Sequence, residues 1–159
     1  MGETELFIQG GFTANKNGAV LEDAVRSVTA RHGYAEINFK DWEKANYPIK
    51  YLVANVPYQT IYKTRGHTEF VLSTSSGNIR IECKWQQSTG SVDEKYPYLF
   101  ENMKNVPEPH VIILLGGGGY KKQAREWLLN KCINCDEKVI NLFSLEDFTI
   151  WANKTLPRL

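Results

Sequence analysis

The chain has 159 residues, with 19 lysines and arginines against 18 aspartates and glutamates. A chain of this length buries roughly 70% of the surface its unfolded form exposes, so one domain spanning the whole sequence is expected, with no need of metal or disulfide staples. Its 42% hydrophobic and 23% charged residues exclude disordered, collagen-like and coiled-coil architectures.

Residues 1–18 hold a short apolar run, Leu6-Phe7-Ile8, and a Gly- and Asn-containing loop. Leu21, Ala24, Val25 and Val28 then recur at i, i+3, i+4 and i+7, one face of a helix expected over about 18–32 and stopped by Gly33. From Tyr34 to Gly66 the chain is aromatic and β-branched, with candidate strands at Tyr51–Val56 and Thr60–Lys63 separated by Pro57. Next come Thr68–Ser73, a small polar turn Thr74–Gly77, and Asn78–Gln86. In this last arm Ile79, Ile81, Cys83 and Trp85 alternate with Arg80, Glu82, Lys84 and Gln86, the pattern of a half-buried strand. Ser88–Ser91 reads as a loop, and Asp93–Lys104 as a helix whose start Pro97 makes irregular. After Pro107 and Pro109, His110–Leu115 is a buried strand, Tyr120–Lys131 a helix and Val139–Phe143 a strand. Ser144 with Asp147 caps a last helix over about 145–154. This order predicts a mixed α/β sheet flanked by helices.

The longest unbroken aliphatic stretch, Val111–Leu115, is far short of the ~20 residues of a bilayer crossing, and the amino terminus lacks a secretory pattern. No membrane association and a cytoplasmic setting are therefore expected, with three reduced cysteines rather than a disulfide framework. Cys132 and Cys135 form a CxxC with no second pair or nearby His, which argues against zinc. Gly116–Gly119 show neither GxGxxG spacing nor a terminal GK[ST], so no nucleotide cofactor is expected. The run suits close backbone approach, with Lys121, Lys122 and Arg125 placed to touch phosphates near the following helix start. A net charge of +1 does not exclude a nucleic-acid partner, because positive charge can be concentrated locally.

If Thr74–Gly77 is a four-residue turn, the hairpin register follows: Leu72 faces Ile79, Phe70 faces Ile81, Val71 faces Arg80 and Glu69 faces Glu82. Lys84, two residues on, shares the side of Glu82, and His67 faces it. Two carboxylates ~4 Å apart repel by about 1 kcal/mol in water and ~4 kcal/mol at an effective dielectric of 20. A divalent cation between them offsets this, and Mg²⁺ suits because it takes oxygen ligands and keeps waters. Lys84 is then the adjacent cation that positions or deprotonates an attacking water. Gln86 extends this polar face toward a water or phosphate. Glu22, on the first helix, has Arg26 four residues on, so a surface ion pair and a role at the site are both open for it.

Glu69, the tripeptide Glu82-Cys83-Lys84 and Glu22 together resemble the PD-(D/E)XK, or restriction-endonuclease-like, nuclease superfamily. Arg80-Ile-Glu-Cys-Lys-Trp-Gln-Gln87 followed by Ser91-Val-Asp-Glu-Lys-Tyr96 looks like a small branch of it found in phage and bacteria. The resemblance implies a restriction-endonuclease-like central β-sheet and Mg²⁺- or Mn²⁺-dependent phosphodiester hydrolysis in DNA. It also implies Glu69, Glu82 and the Cys83 backbone carbonyl as metal ligands. The family's usual first acid is Asp, often preceded by Pro, whereas this chain has Thr68-Glu69. A homodimer is compatible with this reading, since a two-fold axis offers one site to each DNA strand. The rival reading is a nuclease-fold module that binds nucleic acid or protein without turnover.

Overall fold

The computed structural model describes residues 19–86 and 91–159. Leu6–Ile8, the loop before the first helix, and residues 88–90 of the Ser88–Ser91 loop lie outside the described residues.

Helix α1 occupies 19–31, and Gly33, with φ 87°, ends the turn that follows it. A six-stranded mixed sheet then forms in chain order from β1 (Ala35–Asn38), β2 (Tyr51–Gln59), β3 (Arg65–Thr74), β4 (Gly77–Trp85), β5 (His110–Gly116) and β6 (Val139–Phe143). β1 and β2 are parallel, β2, β3 and β4 form an antiparallel meander, and β4, β5 and β6 are parallel. The other helices are α2 (Phe39–Lys44), α3 (Ser91–Glu94), α4 (Tyr96–Asn105), α5 (Lys122–Ile133) and α6 (Leu145–Thr155).

Strand alternation assigns each face its layer. Phe70, Leu72, Ile79, Ile81, Cys83, Ile112 and Leu114 meet Leu21, Val25 and Val28 of α1 and Phe148 and Ala152 of α6. On the opposite face Val111, Ile113 and Leu115 meet Leu99, Phe100 and Met103 of α4 and Leu128 and Cys132 of α5. Farther along that face, Trp42 of α2 covers Val53, Val56 and Val71. With helices on both sides β4 is buried throughout its middle, not half-buried as its alternation predicts: Arg80 and Glu82 are 2% and 4% exposed. Alternation reports which residues share a face, and says nothing of whether a helix covers it.

Other elements also depart from expectation. β2 runs through Pro57, which stands opposite His67, and Thr60–Lys63 is a turn instead of a strand. β1 pairs only with residues 51–54, so β2 is an edge beyond that point, where a missing N–H is tolerated. Thr60 closes the turn with a backbone bond to Thr64 O at 2.9 Å and a hydroxyl contact to Thr64 Oγ1 at 2.7 Å. β1 and α2 arise inside the stretch that lacked clear boundaries, α2 being capped by Asn38, whose side chain accepts from Asp41 N–H at 2.9 Å. The expected helix Asp93–Lys104 is two pieces, with Pro97 in the first turn of the second. The last helix starts where its cap places it: Ser144 Oγ accepts from Asp147 N–H at 3.1 Å and Asp147 reaches back to Ser144 N–H. Ser144→Ala should lower stability by about 1 kcal/mol in urea unfolding, since one first-turn amide loses its acceptor.

Gly117 fulfils the expected close approach. Its φ is 82°, a Cβ there would lie 2.0 Å from Gln86 O, and Gly119 N–H donates to that same oxygen at 2.9 Å.

Candidate active site

The β3–β4 hairpin forms in the expected register, but Thr74↔Gly77 is itself a pair, so the turn is Ser75–Ser76 instead of four residues; pairing runs to Phe70↔Ile81 and then stops. Glu69 and Glu82 are therefore not a bonded cross-strand pair, and His67 does not face Lys84; it stands opposite Pro57. The β2–β3 ladder also skips a step at this level, leaving Glu69 and Asn55, the latter in a left-handed conformation with φ 58°, unpaired between Ala54↔Phe70 and Val56↔Thr68. Glu69 thus lies where the sheet opens on both sides. Its carboxylate takes the place a β3 backbone acceptor would fill: Cys83 N–H donates to Glu69 Oε2 at 2.9 Å. In an extended strand one residue's N–H and C=O leave from the same edge, so the Cys83 carbonyl faces the same opening. β4 meanwhile continues alongside β5 as far as Trp85↔Gly116, which keeps Glu82 and Lys84 on a rigid element.

Glu82 Oε1 lies 2.9 Å from Lys84 Nζ, while Glu82 Oε2 is buried and has no hydrogen-bond partner among the described residues. Burial, reinforced by the negative charge of Glu69 and opposed by Lys84, pushes the Glu82 pKa up to about 7. Burial works to lower the Lys84 pKa, but the Glu82 charge and hydrogen bond and the charge of Glu69 outweigh it, and the net shift is upward. Lys84 is therefore an ammonium at neutral pH, and its side chain is 40% exposed, open to a substrate.

Glu22 approaches from α1. It lines a groove of about 300 Å³ with Arg26, Asn55, His67 and Glu69. Partial burial, then the charge of Glu69, raise its pKa. The expected ion pair of Glu22 is a loose one: Arg26 Nη2 is 3.9 Å away, and Arg26 bonds more closely to Glu36, with Nε 2.9 Å from Oε2, and to Asp23 at 3.1 Å. Glu69 links the two sides electrostatically, acting on Glu22 in this groove and on Glu82 and Lys84 in the neighbouring one.

Three expected contact residues lie elsewhere. Gln86 is 2% exposed, accepts from Tyr96 OH at 3.0 Å and donates to Gly119 O at 3.3 Å, so it ties β4 to α4 and to the glycine loop instead of presenting an amide to phosphate. The N–H of Lys121 donates to the Asp93 carboxylate at 3.3 Å, and the Lys122 side chain is 86% exposed, 3.9 Å from Glu126; neither is brought to the carboxylates. The Cys83 thiol packs in the core, where burial pushes its pKa up, so only its backbone faces the site. Cys132 is buried with its pKa pushed up to about 12, and Cys135 Sγ donates to Glu137 Oε2 at 3.3 Å.

Among the described residues no three His, Cys, Asp or Glu side chains gather as a metal-ligand set. The available oxygens are two carboxylates and one main-chain carbonyl, a sparse set that suits Mg²⁺, which holds on to its waters, better than a caged ion. The buried, unpartnered Glu82 Oε2 fits such an ion. An acceptor left unsatisfied in the interior costs about 1–3 kcal/mol, which a cation in contact with it would recover.

Sequence reading missed Lys95, Tyr96, Tyr98 and Asn102, which line the cavity with Tyr58, Glu82 and Lys84. Behind it, Arg80 forms a buried fork with Glu108, Nε to Oε2 at 2.6 Å and Nη2 to Oε1 at 2.8 Å, and donates to Thr68 Oγ1 at 2.9 Å. Arg80 was visible as a polar position beside Glu82, but its partner is 28 residues away on a loop that carries no periodic signal.

A search of curated proteins finds no significant match. Among solved structures, a crystal structure of a protein of unknown function, AF1548, is 16% identical, with a TM-score of 0.42 over 76% of this chain and 54% of that one. The chain thus spans about half the length of that protein. No helix among the described residues is long and apolar enough to cross a membrane. The family model of the PD-(D/E)XK nuclease superfamily domain matches residues 13–156, nearly the whole chain, and the mixed sheet flanked by helices agrees with that fold. The chain belongs to the PD-(D/E)XK nuclease superfamily.

Proposed function

We propose that this domain is a divalent-metal-dependent endonuclease that hydrolyses phosphodiester bonds in DNA. The observation that carries the reading is the buried Glu82 carboxylate, one oxygen on Lys84 and the other unpartnered, beside Glu69 at the opening of the sheet. Glu69, Glu82 and the Cys83 carbonyl would hold Mg²⁺ or Mn²⁺, with Glu22 assisting from α1. A cation bound there supplies a water of lowered pKa and neutralises charge on a phosphoryl oxygen.

The chain's own residues do the rest. Lys84, held as an ammonium by Glu82, is suited to orienting the attacking water and stabilising negative charge on the phosphorane, rather than to removing a proton. Glu82, held near neutrality by burial and the charge of Glu69, would ionise more fully beside a bound cation. Glu22, which shares a groove with Glu69, would accept a proton from water on the α1 side. A single site cuts one strand, so double-strand cleavage would take two copies.

Supercoiled plasmid incubated with the protein and Mg²⁺ or Mn²⁺ should be converted first to nicked circles, and chelation should stop the reaction. Calorimetric titration with Mn²⁺ should show uptake that Glu69→Ala removes. Cutting that persists in excess EDTA, or equal Mn²⁺ uptake by the variant, would reject the assigned site; a module without turnover would bind DNA and leave the plasmid intact.

A further inference from the structure

The cavity that Glu82 and Lys84 share with Tyr58, Tyr96, Tyr98 and Asn102 encloses about 260 Å³. Pockets that enclose drug-sized ligands hold ~300–1,000 Å³, so this one is of the size of a single planar ring system. Its edge carries an exposed aromatic pair. Tyr62 is 72% exposed and lies against Tyr98, ring centroids 5.2 Å apart and planes 22° from parallel.

An exposed ring gains little from the core, yet the fold holds this one with buried groups. Asn102, 2% exposed, accepts the Ile61 N–H on its Oδ1 at 2.9 Å, and the Thr60–Thr64 contacts close the same turn. Tyr98 and Asn102 are i, i+4 on α4, so one helix face supplies both the stacking ring and the clamp on the loop that carries its mate. Positive charge lies nearby: Lys95 lines the cavity with Tyr98, Lys63 follows Tyr62 in the same turn, and Lys63 and Arg65 share a second groove with Tyr58.

Resting on the hydrolytic reading above, the geometry points to unpaired DNA as the substrate form, whether a free single strand or the stretches that negative supercoiling opens in a plasmid. An unpaired base beside the scissile phosphate lies on the Tyr62–Tyr98 platform at the mouth of the Glu82–Lys84 cavity, with flanking phosphates toward Lys63, Arg65 and Lys95. A base inside a duplex has both faces covered by its neighbours and offers none to a tyrosine. Stacking is indifferent to base identity, so binding tolerates any sequence.

The test separates this inference from hydrolysis by measuring binding in EDTA, where nothing is cut. The full chain is titrated into a single-stranded oligonucleotide containing 2-aminopurine, and into its duplex. Anisotropy reads affinity, and quenching of the 2-aminopurine reads stacking. The single strand should bind at least about tenfold more tightly than the duplex, and Tyr62→Ala, at an exposed position where folding is not at stake, should weaken it about tenfold and abolish the quenching. Tyr62→Trp should retain both. Equal affinity for single strand and duplex, or no change on Tyr62→Ala, overturns the platform even if plasmid cleavage with Mg²⁺ proceeds. Single-strand binding that Tyr62→Ala removes supports it even in a protein that cuts nothing.

Discussion

Glu82→Gln should reduce plasmid cleavage by on the order of 10³-fold while making the metal-free domain more stable at pH 8. The loss of rate follows from removing the carboxylate that touches Lys84 and feels the charge of Glu69. The gain in stability follows from the same burial. Glu82 titrates near 7 in the folded chain and near its ordinary 4.5 when unfolded. Between these values the folded chain keeps a proton that the unfolded chain has released, so this group's contribution to stability falls as pH rises through the window and levels off above it. The full cost is on the order of 3 kcal/mol above pH 7. Urea unfolding in EDTA at pH 5 and pH 8 should show the variant and the parent converging at the lower pH and separating at the higher, the variant being the more stable. A variant less stable than the parent at pH 8 would mean that Glu82 is an ordinary satisfied structural carboxylate.

The second large effect lies behind the site. Arg80 and Glu108 are 2% and 8% exposed and bond through two parallel contacts, with Arg80 also donating to Thr68 and lying 5.5 Å from the centre of the Tyr58 ring. Removing one member leaves the other as a buried charge without its partner. Glu108→Ala and Arg80→Ala should each cost about 3–5 kcal/mol, enough to unfold a marginal domain at 37 °C. The double variant Arg80→Met with Glu108→Leu should recover much of that loss, because the desolvation penalty disappears with the charges. Urea midpoints read both results; a double variant as unstable as the worse single one would show that the fork supplies more than mutual neutralisation. Because Arg80 packs between Thr68 and Tyr58, the singles should also lower cleavage before they unfold the protein.

Local signals carried the hairpin. Ile79, Ile81 and Cys83 alternate strictly, and the small residues between Thr74 and Gly77 left one register, which the pairing from Thr74↔Gly77 to Phe70↔Ile81 matches. The caps and stops of α1 and α6 were legible for the same reason, since a Gly or a Ser–Asp pair acts within one turn. Extrapolating the register past Phe70 failed because nothing local marks where it ends: at this level the β2–β3 ladder skips at the left-handed Asn55, and β4 runs on beside β5 without β3. The β1 strand and the two-piece helix around Lys95 were not legible either, since short elements in aromatic or proline-containing stretches depend on what they pack against.

The sequence by itself determined the alternation of β4, hence that Glu82 and Lys84 share a side, and with it the superfamily to which the motif points. Only the tertiary structure decided that this side is buried under α4, that Glu69 meets the chain at the Cys83 amide instead of meeting Glu82 directly, and that Gln86 turns inward. Periodicity is a property of neighbouring residues and survives in one dimension. Burial, an unpartnered oxygen and a raised carboxylate pKa arise from groups tens of residues apart, which folding alone brings within reach of one another.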